Sequence, residues 1–150
     1  MSDAIRIQAE DFDAGAEIAR LGTRSNNVGA VASFVGVVRG SDGVTSMTLE
    51  HYPGMTEREI ERHVSEAHSR WPLIGVTVIH RIGKLRAGDN IVLVAAASAH
   101  REAAFAACEF LVDYLKTRAP FWKLEERGGS ADWVAARAED EDAAGRWRQV

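Results

Sequence analysis

Two apolar segments separated by only six residues place the tightest limit on how this chain can fold. Residues 75–83 (GVTVIHRIG) and 90–98 (NIVLVAAAS) have the length and β-branched content of strands, and the link KLRAGD ends in a turn signal. Parallel neighbours need a crossover of about a dozen residues or more, and this link is too short to supply one. The two segments are therefore predicted to pair antiparallel.

Three other segments carry strand patterns in the first third of the chain. Ile5 and Ile7 alternate with polar neighbours, as in a short strand. Residues 28–38 (VGAVASFVGVV) are apolar on both parities, which predicts a strand covered on both faces and central in a sheet. Residues 44–52 (VTSMTLEHY) alternate and follow a turn signal at residues 40–43, so we expect a hairpin with the preceding strand.

Helical patterns lie between the strands. A short first helix is expected to end at Gly22. Thr56 and Glu59 have the spacing of a capping box, and Pro72 ends the second helix. A third, longer helix starts near His100 and carries an apolar stripe. The stripe consists of Phe105, Cys108, Leu111, Val112 and Leu115.

The segment after Pro120 predicts one more strand and one more helix. In FWKLEE, Phe121, Lys123 and Glu125 fall on one face of a strand. Gly128 and Gly129 predict a turn, after which Ser130 is expected to cap a last helix containing Trp133. Helices and antiparallel strand pairs in mixed order predict a single α+β domain over residues 1–150.

Composition excludes several function classes. A formal net charge of -4 and a pI near 5.7 argue against a general nucleic-acid binder. The acidic amino terminus lacks the pattern of a signal peptide, and the longest apolar run is too short to span a bilayer. Cys108 is the sole cysteine, so an internal disulfide is impossible and a reducing compartment fits best. We expect a cytoplasmic protein that binds neither nucleic acid nor a membrane.

Five basic side chains adjoin strand or helix ends, which is unexpected in an acidic chain. Arg39 follows the strand that contains Gly36, and His100 and Arg101 lie at the start of the third helix, where free amides favour an anion. Lys116 lies near the end of that helix, and Lys123 lies between apolar neighbours in the next strand. Together these residues predict a phosphate-binding pocket with a lysine available for chemistry.

Each of these cations also has an ordinary structural explanation. Lys116 complements the helix dipole at its carboxyl end and has Asp113 within pairing reach. Lys123 would guard an edge strand against aggregation. Arg39 and Arg101 would simply be solvated, and His100 would merely cap the core. The functional interpretation depends on all five side chains converging.

Other catalytic constellations are poorly supported. Cys108 falls on the apolar helix stripe, which is typical of a core thiol. His63 and His68 point in different directions on the second helix, and His51 and His80 are isolated on strands, so no metal site is expected. The chain contains no phosphate-loop, GxGxxG or GxSxG signature.

The chain closely resembles the large, catalytic subunit of molybdopterin synthase. The resemblance runs from about Ile5 to Trp147. The segments that carry it are FVGVVRG, LEHYPGMTE, RWPLIGVTVIHRIGKLRAGD, SAHREAAFAACEFLVDYLKTRAPFWKLE and DWVAAR. It implies an α/β-hammerhead type fold with an additional antiparallel β subdomain.

The same resemblance implies an enzyme of molybdenum cofactor biosynthesis that needs no cofactor of its own. Members of this family convert cyclic pyranopterin monophosphate (precursor Z) to molybdopterin by installing two dithiolene sulfurs. The sulfur is supplied as a thiocarboxylate on the carboxy-terminal Gly-Gly tail of a small ubiquitin-like subunit. Two large subunits form a central homodimer with one small subunit at each end, giving a heterotetramer.

The resemblance also implies roles for particular residues. Lys116 corresponds to the lysine regarded as catalytic, and Lys123 is expected to stabilise developing negative charge. Glu125 is expected to position Lys123. The full set of expected substrate-binding residues is Val37, Val38, Arg39, His100, Arg101, Lys116, Lys123, Leu124 and Glu125. The loop GSDG after Arg39 is short compared with the loop of the family.

Two other function classes remain compatible with the residues alone. A non-enzymatic phosphate- or nucleotide-binding module would explain the basic cluster without any sulfur-donating partner. A structural scaffold subunit would use the apolar strands as an interface, and its lysines would be incidental.

Overall fold

The computed structural model describes residues 3–128, 130–134 and 145–148. Three α-helices and eight strands are present in this part of the chain. In chain order they are β1 (Ala4–Gln8), α1 (Ala14–Gly22), β2 (Ala30–Val37), β3 (Ser46–His51), α2 (Met55–Arg70), β4 (Leu73–Arg81), β5 (Gly83–Arg86), β6 (Asn90–Ser98), α3 (Arg101–Thr117), β7 (Phe121–Arg127) and β8 (Ser130–Val134). Short 3-10 turns occupy Ser41–Gly43 and Arg146–Arg148.

The strands form two separate four-stranded sheets. The first has the order β1-β4-β6-β2, with β1 parallel to β4 and the other pairs antiparallel. The second has the order β5-β3-β7-β8 and is antiparallel throughout. This arrangement confirms the predicted α+β class with an additional antiparallel sheet. No helix within the described residues is both long enough and apolar enough to cross a bilayer.

The predicted antiparallel pair forms the centre of the first sheet. Val78 of β4 lies opposite Val94 of β6, and both are almost completely buried. α3 packs against β6 and β2. Cys108 and Leu111 of α3 enter the core as predicted, whereas Phe105 is 65% exposed, so its place in the apolar stripe was predicted wrongly. Helical spacing identifies which face of a helix is apolar. It does not show how far along the helix the neighbouring sheet covers that face.

Two predictions about β2 are wrong. Among the described strands, β2 is at the edge of the first sheet and pairs with β6 alone, so it is not central there. It forms no hairpin with β3, because the chain crosses to the second sheet at the turn Ser41–Gly43. Val35 and Val37, which made the pattern apolar on both parities, line a cavity and remain 36% and 48% exposed, so they do not mark a second buried face.

The start of α2 differs from the predicted capping box. The N–H of Gly54 donates to Oε1 of Glu57 at 2.8 Å, two residues earlier in the chain than the predicted pair. Thr56 is fully buried and acts across the structure instead. Its hydroxyl accepts from the N–H of Tyr52 at 3.0 Å and donates to the carbonyl oxygen of Pro120 at 3.0 Å. Thr56 therefore joins the start of α2 to the residue preceding β7.

The prediction of a last helix starting at Ser130 is also wrong. Ser130–Val134 is β8, which pairs antiparallel with β7 and places Trp133 opposite Leu124. Gly128 supplies the turn with a φ of 50°, while Gly129 lies outside the described residues. A serine after a glycine turn can begin either a helix or a strand. Here pairing with β7 stabilises the strand.

Candidate functional site

A cavity of about 450 Å³ lies between the two sheets, beside the carboxyl end of α3. Its wall combines the end of β2 and the loop after it, the last turns of α3, one face of β7, and residues of β3, β4 and β6. Its polar and charged wall residues are Arg39, Ser41, His80, Lys116, Thr117, Lys123, Glu125 and Arg127. Three separate structural units therefore contribute charge to one volume.

Arg39, Lys116 and Lys123 meet in this cavity, as the sequence predicted for these three cations. Lys123 belongs to the predicted face of β7, because Phe121, Lys123 and Glu125 all line the wall. β7 lies between β3 and β8, so the alternative explanation of Lys123 as an edge-strand guard is wrong. The alternation of β7 directs the lysine inwards.

The cavity is strongly basic. Arg127 is a fourth cation in the wall that the structure describes, and Glu125 is the one carboxylate there. Nη2 of Arg127 donates to Oε1 of Glu125 at 3.0 Å. Four cations against one carboxylate leave a positive potential suited to an anion.

Lys116 does not receive the helical partner suggested by its spacing from Asp113. Oδ2 of Asp113 accepts from Nε1 of Trp147 at 2.5 Å and from Nη2 of Arg146 at 3.2 Å. Within the described part of the chain, no carboxylate lies within ion-pair distance of Lys116. Its ammonium group is exposed to the cavity solvent at the end of α3.

Two residues expected to bind substrate lie outside the cavity wall. Val38 is 2% exposed and belongs to the hydrophobic core. Leu124 lies on the opposite face of β7 from Lys123, in register with Thr48 and Trp133. Val37, by contrast, lines the cavity.

His100 and Arg101 are not brought to the cavity within a single chain. Both are exposed at the start of α3, whereas Lys116 is near its end. At 1.5 Å per residue the helix separates Arg101 from Lys116 by about 22 Å. All five cations were expected to share one cavity. Within one chain only Arg39, Lys116 and Lys123 of these five do so.

His80 is a cavity residue that the sequence reasoning missed by treating it as isolated. Its imidazole stacks on Phe121 with ring centroids 3.9 Å apart and planes 16° apart. Burial lowers the pKa of His80 to about 4, with a further lowering by the charges of Lys123 and Lys116 that opposes the effect of its hydrogen bond to Arg81. The available signal was a histidine directly after residues 73–79 of β4, a segment without any charged residue.

The other candidate centres remain structural. Cys108 is buried, and burial raises the pKa of its thiol to about 11, so it is a core residue as predicted. His63 stacks on Tyr114, while Nε2 of His68 lies 3.0 Å from Oδ2 of Asp3. Among the described residues, no group of three or more His, Cys, Asp or Glu side chains is arranged to hold a metal ion.

Comparison with known proteins gives consistent results over almost the whole chain. A family model described as MoaE protein matches residues 7–118. A molybdopterin synthase catalytic subunit from Mesorhizobium japonicum is 57% identical, with 99% of this chain and 95% of that protein covered. The solved structure of a molybdopterin biosynthesis MoaE protein from Burkholderia ambifaria MC40-6 superposes with a TM-score of 0.85 at 51% identity, covering 100% of both chains.

A more distant solved structure shares the fold. It is a protein-protein complex of subunits 1 and 2 of molybdopterin-converting factor from Helicobacter pylori 26695. Its matched chain has a TM-score of 0.73 at 21% identity, with 90% of this chain and 91% of that chain covered. The fold thus persists where most of the sequence has changed.

Proposed function

The chain belongs to the MoaE protein family, and we propose that its basic cavity carries out the sulfur transfer that makes molybdopterin. The substrate is cyclic pyranopterin monophosphate, and the product carries two dithiolene sulfurs. One observation carries the proposal: Arg39, Lys116 and Lys123, which are distant in sequence, line a single cavity of about 450 Å³. That volume falls within the range of pockets that bind small molecules.

The cyclic phosphate of the substrate explains the excess of cations. Arg39 follows β2 on one side of the cavity, and Lys123 lies on β7 on the other. Charge-assisted hydrogen bonds from such groups bind and orient a phosphate, with the guanidinium providing directional donors. Glu125 pairs with Arg127, which is also in the cavity wall. The cavity therefore retains a net positive charge that attracts the phosphate.

We assign the sulfur donor to the carboxy-terminal thiocarboxylate of a small ubiquitin-like subunit. The Helicobacter pylori structure is named as a complex of two subunits, which supports a two-subunit enzyme. A thiocarboxylate is an anion, so the same basic cavity attracts the donor and the phosphate-bearing acceptor. The two large subunits of the expected heterotetramer would each receive one such tail.

The proposed chemistry uses the two lysines differently. The thiocarboxylate sulfur attacks an electrophilic pterin carbon, and the oxygen that leaves needs a proton, which Lys116 supplies. The resulting thioester links the pterin to the donor tail. Water then attacks the thioester carbonyl, and Lys123 stabilises the negative charge of the tetrahedral intermediate. This intermediate collapses by breaking its carbon–sulfur bond, which leaves the sulfur on the pterin as a thiolate and frees the tail as a carboxylate. A second donor repeats the sequence at the neighbouring carbon.

We assign His100 and Arg101 to the cavity of the second large subunit. A two-fold axis near the middle of α3 would run the two copies of this helix antiparallel and bring the start of one towards the end of the other. Phe105 lies exposed between Arg101 and that midpoint, as a residue of such a contact would. A homodimer would therefore complete the group of five cations that one chain leaves divided.

Reconstitution tests this function directly. The protein is incubated with cyclic pyranopterin monophosphate and a thiocarboxylated small subunit, and molybdopterin is measured. Formation of molybdopterin supports the sulfurtransferase. Phosphate binding without product supports the alternative of a non-enzymatic binding module. The absence of both product and phosphate binding supports a structural scaffold. The small subunit bearing an ordinary carboxylate is the control, since it offers the same tail without transferable sulfur. The cytoplasmic location remains a prediction.

A further inference from the structure

Asp113 and Lys116 are three residues apart on α3, a spacing that brings oppositely charged side chains within reach of each other. Asp113 is the one carboxylate at a helical spacing from Lys116, since the other such positions hold Val112, Ala119 and Pro120. The pair is nevertheless not formed, and Lys116 lines the cavity without a carboxylate partner among the described residues. A contact other than the helical one therefore directs the Asp113 carboxylate.

The carboxylate of Asp113 is held by Arg146 and Trp147, which follow it by 33 and 34 residues in the chain. Its Oδ2 atom accepts from Nε1 of Trp147 at 2.5 Å and from Nη2 of Arg146 at 3.2 Å. The side chain of Asp113 is only 12% exposed, so these two hydrogen bonds replace water at the carboxylate. Neither Arg146 nor Trp147 lines the cavity, and the charge of Asp113 is therefore compensated outside it.

The indole of Trp147 is itself fixed where α2 and α3 meet. Its ring lies edge-on to Phe110 of α3, with centroids 5.6 Å apart, and edge-on to Trp71 at 5.7 Å. The carbonyl oxygen of Trp147 accepts from Nη2 of Arg70, at the end of α2, at 2.8 Å. These contacts together fix the direction in which the indole N–H points towards Asp113.

A carboxylate paired with Lys116 would oppose the proposed role of this lysine as a proton donor. An ammonium group beside a carboxylate is stabilised in its charged form, so it gives up its proton less readily. Pairing within the helix would also hold the ammonium group against α3 and restrict its reach to the substrate oxygen. Holding the carboxylate of Asp113 elsewhere avoids both effects.

We propose that Arg146 and Trp147 are positioning residues for the sulfur transfer, because they hold the carboxylate of Asp113 away from Lys116 and so keep this lysine available as a proton donor. Neither residue touches a reactant, and both act through Asp113. This inference rests on the proposed function for its purpose, but the state of Lys116 can be measured without turnover.

Three variants separate this role from packing. The release variant combines Arg146→Ala with Trp147→Phe, which removes both donors to Asp113 and keeps an aromatic ring against Phe110. The second variant adds Asp113→Asn to the release variant and so removes the carboxylate that has been released. Asp113→Asn alone is the control, and it should leave Lys116 as it is in the unaltered protein, because the carboxylate is already held away from this lysine.

The experiment measures the rate at which trace acetic anhydride acylates Lys116 at a fixed pH. The rate is read by mass spectrometry relative to Lys84, which is exposed on β5 in the same sample. Only the uncharged amine reacts, so a neighbouring carboxylate slows the labelling. The release variant should label Lys116 about fivefold more slowly, on the scale of one partly exposed ion pair, and addition of Asp113→Asn should restore the rate. In the reconstituted reaction, kcat should follow the same pattern with little change in KM.

Unchanged labelling of Lys116 in the folded release variant would overturn the inference. Slower labelling that Asp113→Asn does not reverse would overturn it too, because the effect would then come from a displaced α3. If the release variant does not fold, Arg146→Ala and Trp147→Phe are measured singly; each should give part of the loss, and no loss in either would count equally against the inference. If the unaltered protein forms no molybdopterin, the proposed function fails while the labelling still decides whether Asp113 is held away from Lys116.

Discussion

The hydroxyl of Thr56 bridges the N–H of Tyr52 and the carbonyl oxygen of Pro120, at 3.0 Å from each. This bridge joins the amino terminus of α2 to the entrance of β7, across 64 residues of chain for the Pro120 bond. Because Phe121 and Lys123 follow directly, the bridge helps to hold the cavity face of β7 in place.

Thr56→Val should destabilise the protein measurably. Valine has nearly the same shape but leaves a buried N–H and a buried carbonyl oxygen without their shared partner, which costs about 1–3 kcal/mol in free energy of unfolding. Urea denaturation measures this loss. Thr45→Val is the control, because the Thr45 hydroxyl donates to the Glu126 carbonyl oxygen at 3.2 Å on the exposed surface, where water replaces it. Equal losses in both variants would contradict the special role of the buried bridge.

Lys116→Ala should abolish molybdopterin formation and leave the complex with the small subunit intact. The variant removes the proposed proton donor from the end of α3 without altering the core. Product formation and size-exclusion chromatography with the small subunit give the two readouts. Lys84→Ala is the control, since Lys84 is exposed on β5 and lies 3.7 Å from Glu126, outside the cavity. Near-normal turnover by Lys116→Ala would remove this lysine from the mechanism.

Lys123→Ala should slow the reaction by about 10²-fold or more, which is the usual effect of removing one preorganised donor from a developing negative charge. The loss should appear in kcat, because the proposed charge develops after both reactants have bound. A variant with raised KM and unchanged kcat would show instead that Lys123 contributes to substrate binding alone.

Mixed dimers test whether two subunits share each site. Arg101→Ala and Lys116→Ala should each be nearly inactive alone. When the two are co-assembled, half of the dimers contain one of each, and each such dimer has one site with both side chains intact, so about a quarter of full activity should return. No recovery in verified mixed dimers would place Arg101 outside the site of its partner.

The free energy of unfolding should depend on acid pH because His80 is buried in its uncharged form. Its folded pKa of about 4 lies below the ordinary value of 6.5, so the unfolded chain binds more protons between these two values. The contribution of His80 to the free energy of unfolding is therefore fully present above about pH 6.5. It is lost as the pH falls through about 4, and the loss is about 3 kcal/mol. His80→Phe should show a shallower fall in unfolding free energy over this interval. Parallel curves for the two proteins would contradict the uncharged, buried state.

Much of the local structure could be predicted from the sequence, because short-range periodicity controls it. The link between β4 and β6 required an antiparallel pair, and alternation in β7 placed Lys123 on the face of Phe121 and Glu125. The choice of sheet depends on distant partners, which explains the error over the hairpin between β2 and β3. The same dependence made Ser130 begin a strand where its local pattern allowed a helix.

The site was predictable only in part, for a related reason. Residue type and position pointed to Arg39, Lys116 and Lys123, and their convergence on one cavity distinguishes them from ordinary surface cations. The length of α3 keeps Arg101 away from them in one chain, and a spacing argument cannot show which subunit a side chain serves. His80 was missed because its importance arises from burial against a strand of the other sheet.

Lys116 terminates a helix packed on the first sheet, whereas Lys123 belongs to the second sheet, and only residues 118–120 connect α3 to β7. The separation of the two ammonium groups therefore depends partly on a three-residue connection that holds neither lysine. We expect an insertion in this connection to impair sulfur transfer although both lysines are unchanged.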